Sequence, residues 1–255
     1  MRNAVQDKVI EYPDSDGMPM ADNTLQFQWI VTLKEEIGVL FRDHPDVFVA
    51  GDLLWYPVEG RPDIRVAPDV LVAFGRPKGY RGSYRQWVED GIAPQVVFEV
   101  RSPGNREAEM NRKLRFYDTY GVEEYYLYDP NRNTFAGWRR THTGFEPIPD
   151  INNWVSPRLG IRFELHGEVF TVTRPDGRQF LTFDEMDTAR VLAEQERQQA
   201  QQERQQAQQE RQQAEREQQQ AEQGQQQALA QAEQERQRAE RLTAQLRALG
   251  IEPEV

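Results

Sequence analysis

Apolar residues recur with two different periods, and the change of period marks the elements. Leu25, Trp29, Leu33, Ile37 and Leu40 repeat at helical spacing behind a candidate N-cap, Asp22 or Asn23. They predict an amphipathic helix that ends near Asp43-His44-Pro45. Residues 47–56, VFVAGDLLWY, read as a strand with a bulge at Gly51, and residues 66–74 as a second strand. The short turn between them favours an antiparallel pair. Residues 95–100, QVVFEV, are almost unbroken apolar and predict a strand buried on both faces. After SPGN, a second helix runs from Arg106 to Tyr120 on a Met110, Leu114, Tyr117 stripe, with Gly121 as its left-handed C-cap. EEYYLYDP follows as a fourth strand, closed by the turn Asp129-Pro130-Asn131. TFAGWRR and RFELHGEVFTV read as peripheral antiparallel strands. The predicted class is α/β, a mixed sheet flanked by helices.

The pattern then changes completely. No aromatic follows Phe183, and branched aliphatics nearly vanish, so the rest of the chain cannot bury a core of its own. The expected organisation is an N-terminal extension (1–21), one globular domain (22–185) and a Gln-rich tail (186–250). The tail repeats QERQQAQ with a period of seven. With Ala193, Ala200, Ala207, Ala214, Ala221 and Ala228 at heptad position d, Arg197, Arg204, Arg211, Gln218, Gln225, Ala232, Ala239 and Leu246 occupy a. Leu242 and Leu249 keep the same register at d. A coiled coil, a solvated single helix and a partly disordered tail all fit this composition. The first implies a homo-oligomer, in the simplest case a dimer.

Charge and cysteine content narrow the function. The chain has net charge -11, with 22 basic against 29 acidic residues up to residue 185, and 9 against 13 after it. Neither part suits binding to nucleic acid by charge alone, so any such role needs a local basic patch or a bound metal. The absence of Cys removes disulfides, thiolate metal sites and Cys nucleophiles, and fits a reducing, cytoplasmic compartment. The N-terminal residues contain no apolar run and read as neither signal peptide nor membrane anchor.

Candidate chemistry gathers on the central strands. Glu99 lies inside VVFEV, where an unpaired carboxylate is expensive and needs a cation, a donor set or a proton. Asp69 follows Pro68 at the start of the second strand. Lys113 sits beside the inward stripe of the second helix, three residues from Met110 and four from Tyr117. Two carboxylates and an ammonium from adjacent elements would suit a hard cation, Mg²⁺ or Mn²⁺. Asp52, Gln26 and Glu36 are weaker candidates. Arg76, Lys78, Arg81 and Arg85, interleaved with Tyr80, Tyr84 and Trp87, form the one basic-aromatic stretch, suited to phosphate contact and base stacking. His44, His142 and His166 lack zinc-ligand spacing, and no phosphate-binding Gly loop of P-loop type occurs.

The runs APDVLVAF, PQVVFEVRSPGN and KLRFYDTYGVEEYYLYDP resemble the Uma-two family of the PD-(D/E)XK, restriction-endonuclease-like superfamily. The resemblance implies a metal-dependent endonuclease acting on DNA. Asp69 then matches the Asp of the PD element and Glu99 the acidic residue of (D/E)XK, both metal ligands, with the Val100 carbonyl as a further donor. The Lys position of that triplet holds Arg101. The resemblance moves the catalytic cation to Lys113 on the following helix, with Arg101 as the alternative. A non-catalytic interaction protein that keeps the fold and assembles through its tail is the competing expectation.

The tail register yields a first prediction. Truncation after Thr188 is expected to leave the domain folded and lower its oligomeric state, as is Leu242→Asp with Leu246→Asp. Ala at d buries little area, so association should be weak and concentrated near Ala239, Leu242, Leu246 and Leu249. Light scattering on the three proteins decides. Identical masses per particle would remove assembly from the tail's roles.

Overall fold

The computed structural model describes residues 10–15, 17, 19–167 and 169–248. They fall into two compact units that divide between Met186 and Asp187. In the first unit, α1 (Thr24–Leu40) leads into β1 (Val47–Gly51), β2 (Trp55–Tyr56), β3 (Val70–Phe74), β4 (Tyr84–Arg85) and β5 (Val96–Val100). Then come α2 (Glu107–Tyr120), β6 (Glu124–Asp129), β7 (Thr134–Thr141), β8 (Gly144–Pro147), β9 (Trp154–Val155), β10 (Arg162–His166) and β11 (Val169–Thr173). The last element, α3, begins at Phe183 and runs to Ala248.

Six strands form the main sheet in the order β1-β3-β5-β6-β7-β8. The β1–β3 pair is antiparallel, as the short connection requires. The β5–β6 pair is parallel, because α2 carries the chain back between them as a crossover. Every residue of β5 is buried, since both faces of the sheet are covered. On one face Val70, Val72, Val96 and Phe98 pack under Ile30, Leu33 and Ile37 of α1. On the other, Leu71, Ala73, Val97 and Tyr125 pack under Tyr117 of α2 and against Trp55 and Tyr84.

Four expectations need correction. The segment 47–56 is two strands in different sheets, because Asp52 takes φ 48° and turns the chain out of β1. β2 pairs instead with β4, in parallel. The second strand starts at Val70, with Pro68 unable to donate to a ladder; Val66 makes only an isolated bridge to Trp55. The inward face of α1 is Gln26, Ile30, Leu33 and Ile37, rotated from the predicted stripe so that Leu25 is exposed. This rotation lets the Gln26 amide donate to the Val100 carbonyl at 2.8 Å and buries Glu36 against Arg174 and the Leu181 N–H. Finally, β10 and β11 are not peripheral. They form a three-stranded sheet with β9, and Phe163 and Phe170 pack into the same core as Phe98 and Tyr126.

The entry to α3 is fixed by a capping box. The Thr182 hydroxyl accepts from the Glu185 N–H at 3.3 Å, and the Glu185 carboxylate accepts from the Thr182 N–H at 2.8 Å. Beyond it the side chains are exposed almost throughout and are linked by contacts four residues apart, such as Arg211–Glu215 at 3.1 Å and Gln213–Glu217 at 3.0 Å. Leu249, placed at d above, lies outside the described residues, as does the Leu246 side chain. Among the described residues no helix is long and apolar enough to cross a membrane.

Phe163 is fully buried. Phe163→Ala should therefore cost about 3–5 kcal/mol in urea unfolding, the range for a core aromatic. A loss below about 1 kcal/mol would return β10 to the periphery.

Candidate active site

The alternation of strand side chains decides where the acidic groups point. Asp69, Leu71 and Ala73 share one face of the sheet, and Val97 and Glu99 share the same face on the neighbouring strand. In the β3–β5 register Val70 pairs with Phe98, so one step further Asp69 stands opposite Glu99. Both carboxylates thus project under α2. That helix delivers Lys113 and Tyr117, four residues apart and so on one side of it.

Lys113 Nζ lies 2.6 Å from Glu99 Oε2. The Tyr117 hydroxyl donates to Glu99 Oε1. Asp69 Oδ2 accepts from the Val100 N–H at 2.6 Å. Glu99 is buried and Asp69 nearly so. Burial first, and then the Glu99 charge, push the Asp69 carboxyl well above the usual carboxylate range, against the opposing pull of Lys113 and the Val100 N–H. Burial depresses Lys113, but Glu99 and Asp69 outweigh it and hold the ammonium above its ordinary value. Burial and then Glu99 raise the Tyr117 phenol far above its ordinary value, which keeps it protonated and a donor.

The pair opens onto a cleft of about 570 Å³ lined by Asp22, Gln26, Asp52, Arg65, Asn105 and Glu109 as well as Asp69, Glu99 and Lys113. Gln26 lies at its edge, with Oε1 accepting from the Asp22 N–H at 2.9 Å. Ser102 donates to Asp22 Oδ2 at 2.5 Å. Asp52 lines the cleft, yet among the described residues no group of three or more Asp, Glu or His side chains gathers as a metal-ligating set.

Several candidates lie elsewhere. Arg101 is 3.9 Å from Glu107 and 4.0 Å from Asp129, and it does not line the cleft. Glu36 is held by Arg174 on the opposite face of the sheet. His44, His142 and His166 are exposed. The basic-aromatic stretch is tied into the fold. Arg76 pairs with Asp90 and Glu89, and Arg81 pairs with Glu89 at 2.6 Å while lying over the Phe48 ring. Lys78 donates to the Phe41 and Arg42 carbonyls at the end of α1, both at 2.6 Å. Arg85 donates to Ser83 and faces the Tyr12 ring. Tyr84 is buried, whereas Tyr80 is exposed.

In the sequence Tyr117 reads only as part of the apolar stripe. The available signal is its hydroxyl: a buried Tyr O–H usually finds a partner, and Lys113 one turn earlier marks where the acid lies. Tyr125, 5.1 Å from Tyr117 between ring centroids, is equally buried, but its hydroxyl has no partner among the described residues.

No curated protein matches the chain. Among solved structures, a "putative nuclease belonging to DUF820" from Anabaena variabilis is similar at 15% identity and a TM-score of 0.40, over 60% of this chain and 78% of that one. The family model for Uma2, described as "putative restriction endonuclease", matches residues 11–173, which include Asp69, Glu99 and Lys113. The chain belongs to the Uma2 restriction-endonuclease-like family.

Proposed function

We propose that this protein is a divalent-metal-dependent endonuclease that hydrolyses phosphodiester bonds in DNA. The observation that carries the reading is the meeting of Lys113 with Glu99, opposite Asp69, on the wall of an open cleft. The donor set fits Mg²⁺ or Mn²⁺. Two hard carboxylate oxygen groups stand opposite each other on neighbouring strands and line one cleft, an arrangement that a divalent cation would neutralise. When bound, such a cation supplies Lewis-acid neutralisation of phosphate charge and acidifies water.

In this reading Asp69 and Glu99 hold the cation. The Val100 N–H fixes the Asp69 carboxylate. The Val100 carbonyl, on the same strand, accepts from the Gln26 amide at 2.8 Å. Lys113 brings a positive charge to the cleft wall, where it orients the attacking water or offsets charge on the phosphate. A second reading, a non-catalytic interaction protein, is favoured by the pairing of Arg76 and Arg81 with Glu89 and Asp90, which offsets part of the loop's charge.

Calorimetry with Mn²⁺ should detect binding to the wild type and none to Glu99→Ala. Equal binding by both would remove Glu99 from the site. In plasmid nicking, Lys113→Ala should lower the rate by roughly 10²–10³, the scale for removing one charge-stabilising group. Arg101→Ala should change it less than about tenfold. If Arg101→Ala alone abolishes cleavage, the cation belongs to the triplet position. Metal binding without any cleavage by the wild type would favour the non-catalytic reading.

A further inference from the structure

We infer that Tyr117 is a positioning residue: its phenolic O–H, together with Lys113, clamps the Glu99 carboxylate in the one orientation that serves the cation. The inference rests on the proposed role of Glu99 as a metal ligand. α2 presents Lys113 and Tyr117 one turn apart, and each takes a different oxygen of the same carboxylate, Lys113 Oε2 and Tyr117 Oε1. A carboxylate held at both oxygens cannot rotate about its terminal bond without breaking one of the two contacts. The remaining lone pairs are therefore kept in fixed directions.

The two clamping groups differ in what they can do afterwards. Lys113 has four rotatable bonds and lines the open cleft, so it can leave Glu99 for a substrate phosphate. Tyr117 has no such freedom. Its ring is fully buried, lies parallel to Trp55 with centroids 6.3 Å apart and contacts Tyr125. When Lys113 moves, Tyr117 is what keeps Glu99 in place. Groups that hydrogen-bond a ligating carboxylate set metal affinity without touching the metal, and their removal typically weakens it 10–100-fold.

Tyr125 supplies a matched control. It is as buried as Tyr117 and near the same acidic pair, but its hydroxyl bonds nothing among the described residues. Tyr117→Phe and Tyr125→Phe thus delete the same atom from adjacent buried rings, one with a partner and one without. Titration of the full-length protein with Mn²⁺ should show Tyr117→Phe weakened about 10–100-fold and Tyr125→Phe within about twofold of wild type. Thermal melts report folding separately. Tyr117→Phe that melts lower but binds Mn²⁺ like the wild type makes the contact merely structural and overturns the inference. Equal weakening in both variants also overturns it, because the effect would then follow ring packing. Wild type that fails to bind Mn²⁺, or Glu99→Ala that binds it normally, instead sinks the metal-site reading and this inference with it. Should Tyr117→Phe not fold, Mg²⁺ titration of wild type carrying carbon-labelled tyrosine tests the same contact. The Tyr117 phenolic carbon must shift in step with binding, and an unmoved resonance refutes the clamp.

Discussion

Two carboxylates opposed across a buried strand pair are the constraint around which this domain is arranged. Like charges directly opposite each other destabilise a sheet, and desolvation adds several kcal/mol per ion. Asp69 and Glu99 are tolerated because three donors converge on them from different elements. The Val100 N–H comes from β5 itself, and Lys113 and Tyr117 come from α2. For α2 to deliver both, it must lie over this face of the sheet, and the crossover between parallel β5 and β6 places it there. The topology and the local chemistry thus answer to the same requirement.

Burial of acid is not by itself what distinguishes this place. Glu36 and Glu124 are as buried as Glu99. Glu36 is closed by Arg174 and the Leu181 N–H. Glu124 accepts from Ser156, Tyr126 and the Arg158 N–H, which links β6 to the turn before β10. Both are completed from within and serve as anchors between segments. Glu99 differs in facing a second carboxylate and a cleft. Glu99 is paired from within as well, by Lys113 and Tyr117, so its place opposite Asp69 and beside the cleft is what sets it apart.

Much of this was legible in the sequence. An acid inside VVFEV, an acid after Pro68 and a lysine beside a helical stripe were enough to bring Asp69, Glu99 and Lys113 together, since strand alternation and helix spacing are local rules. What was missed depends on contacts distant along the chain. Nothing in GRPKGYRGSYRQ reveals that Glu89 and Asp90 will neutralise Arg76 and Arg81, because turn geometry decides which charges meet. The inward face of α1 was misplaced because its polar members, Gln26 and Glu36, are buried by partners far downstream at Val100 and Arg174. At Asp52 the sequence suggests a bulge or turn residue beside Gly51 but not that the chain leaves the sheet there, since a non-glycine residue in the left-handed region leaves little trace in composition.

The repeated helix has a further property that follows from its fixed beginning. Thr182 and Glu185 set where α3 starts, and the repeat unit is seven residues long. One unit gained or lost changes the helix length by about 10 Å and turns its far end by only about 20°. The face that carries Leu242 is therefore nearly preserved while the distance it reaches changes in steps. A change of length by whole units would leave the capping box at Thr182 and Glu185, and every residue before it, unchanged.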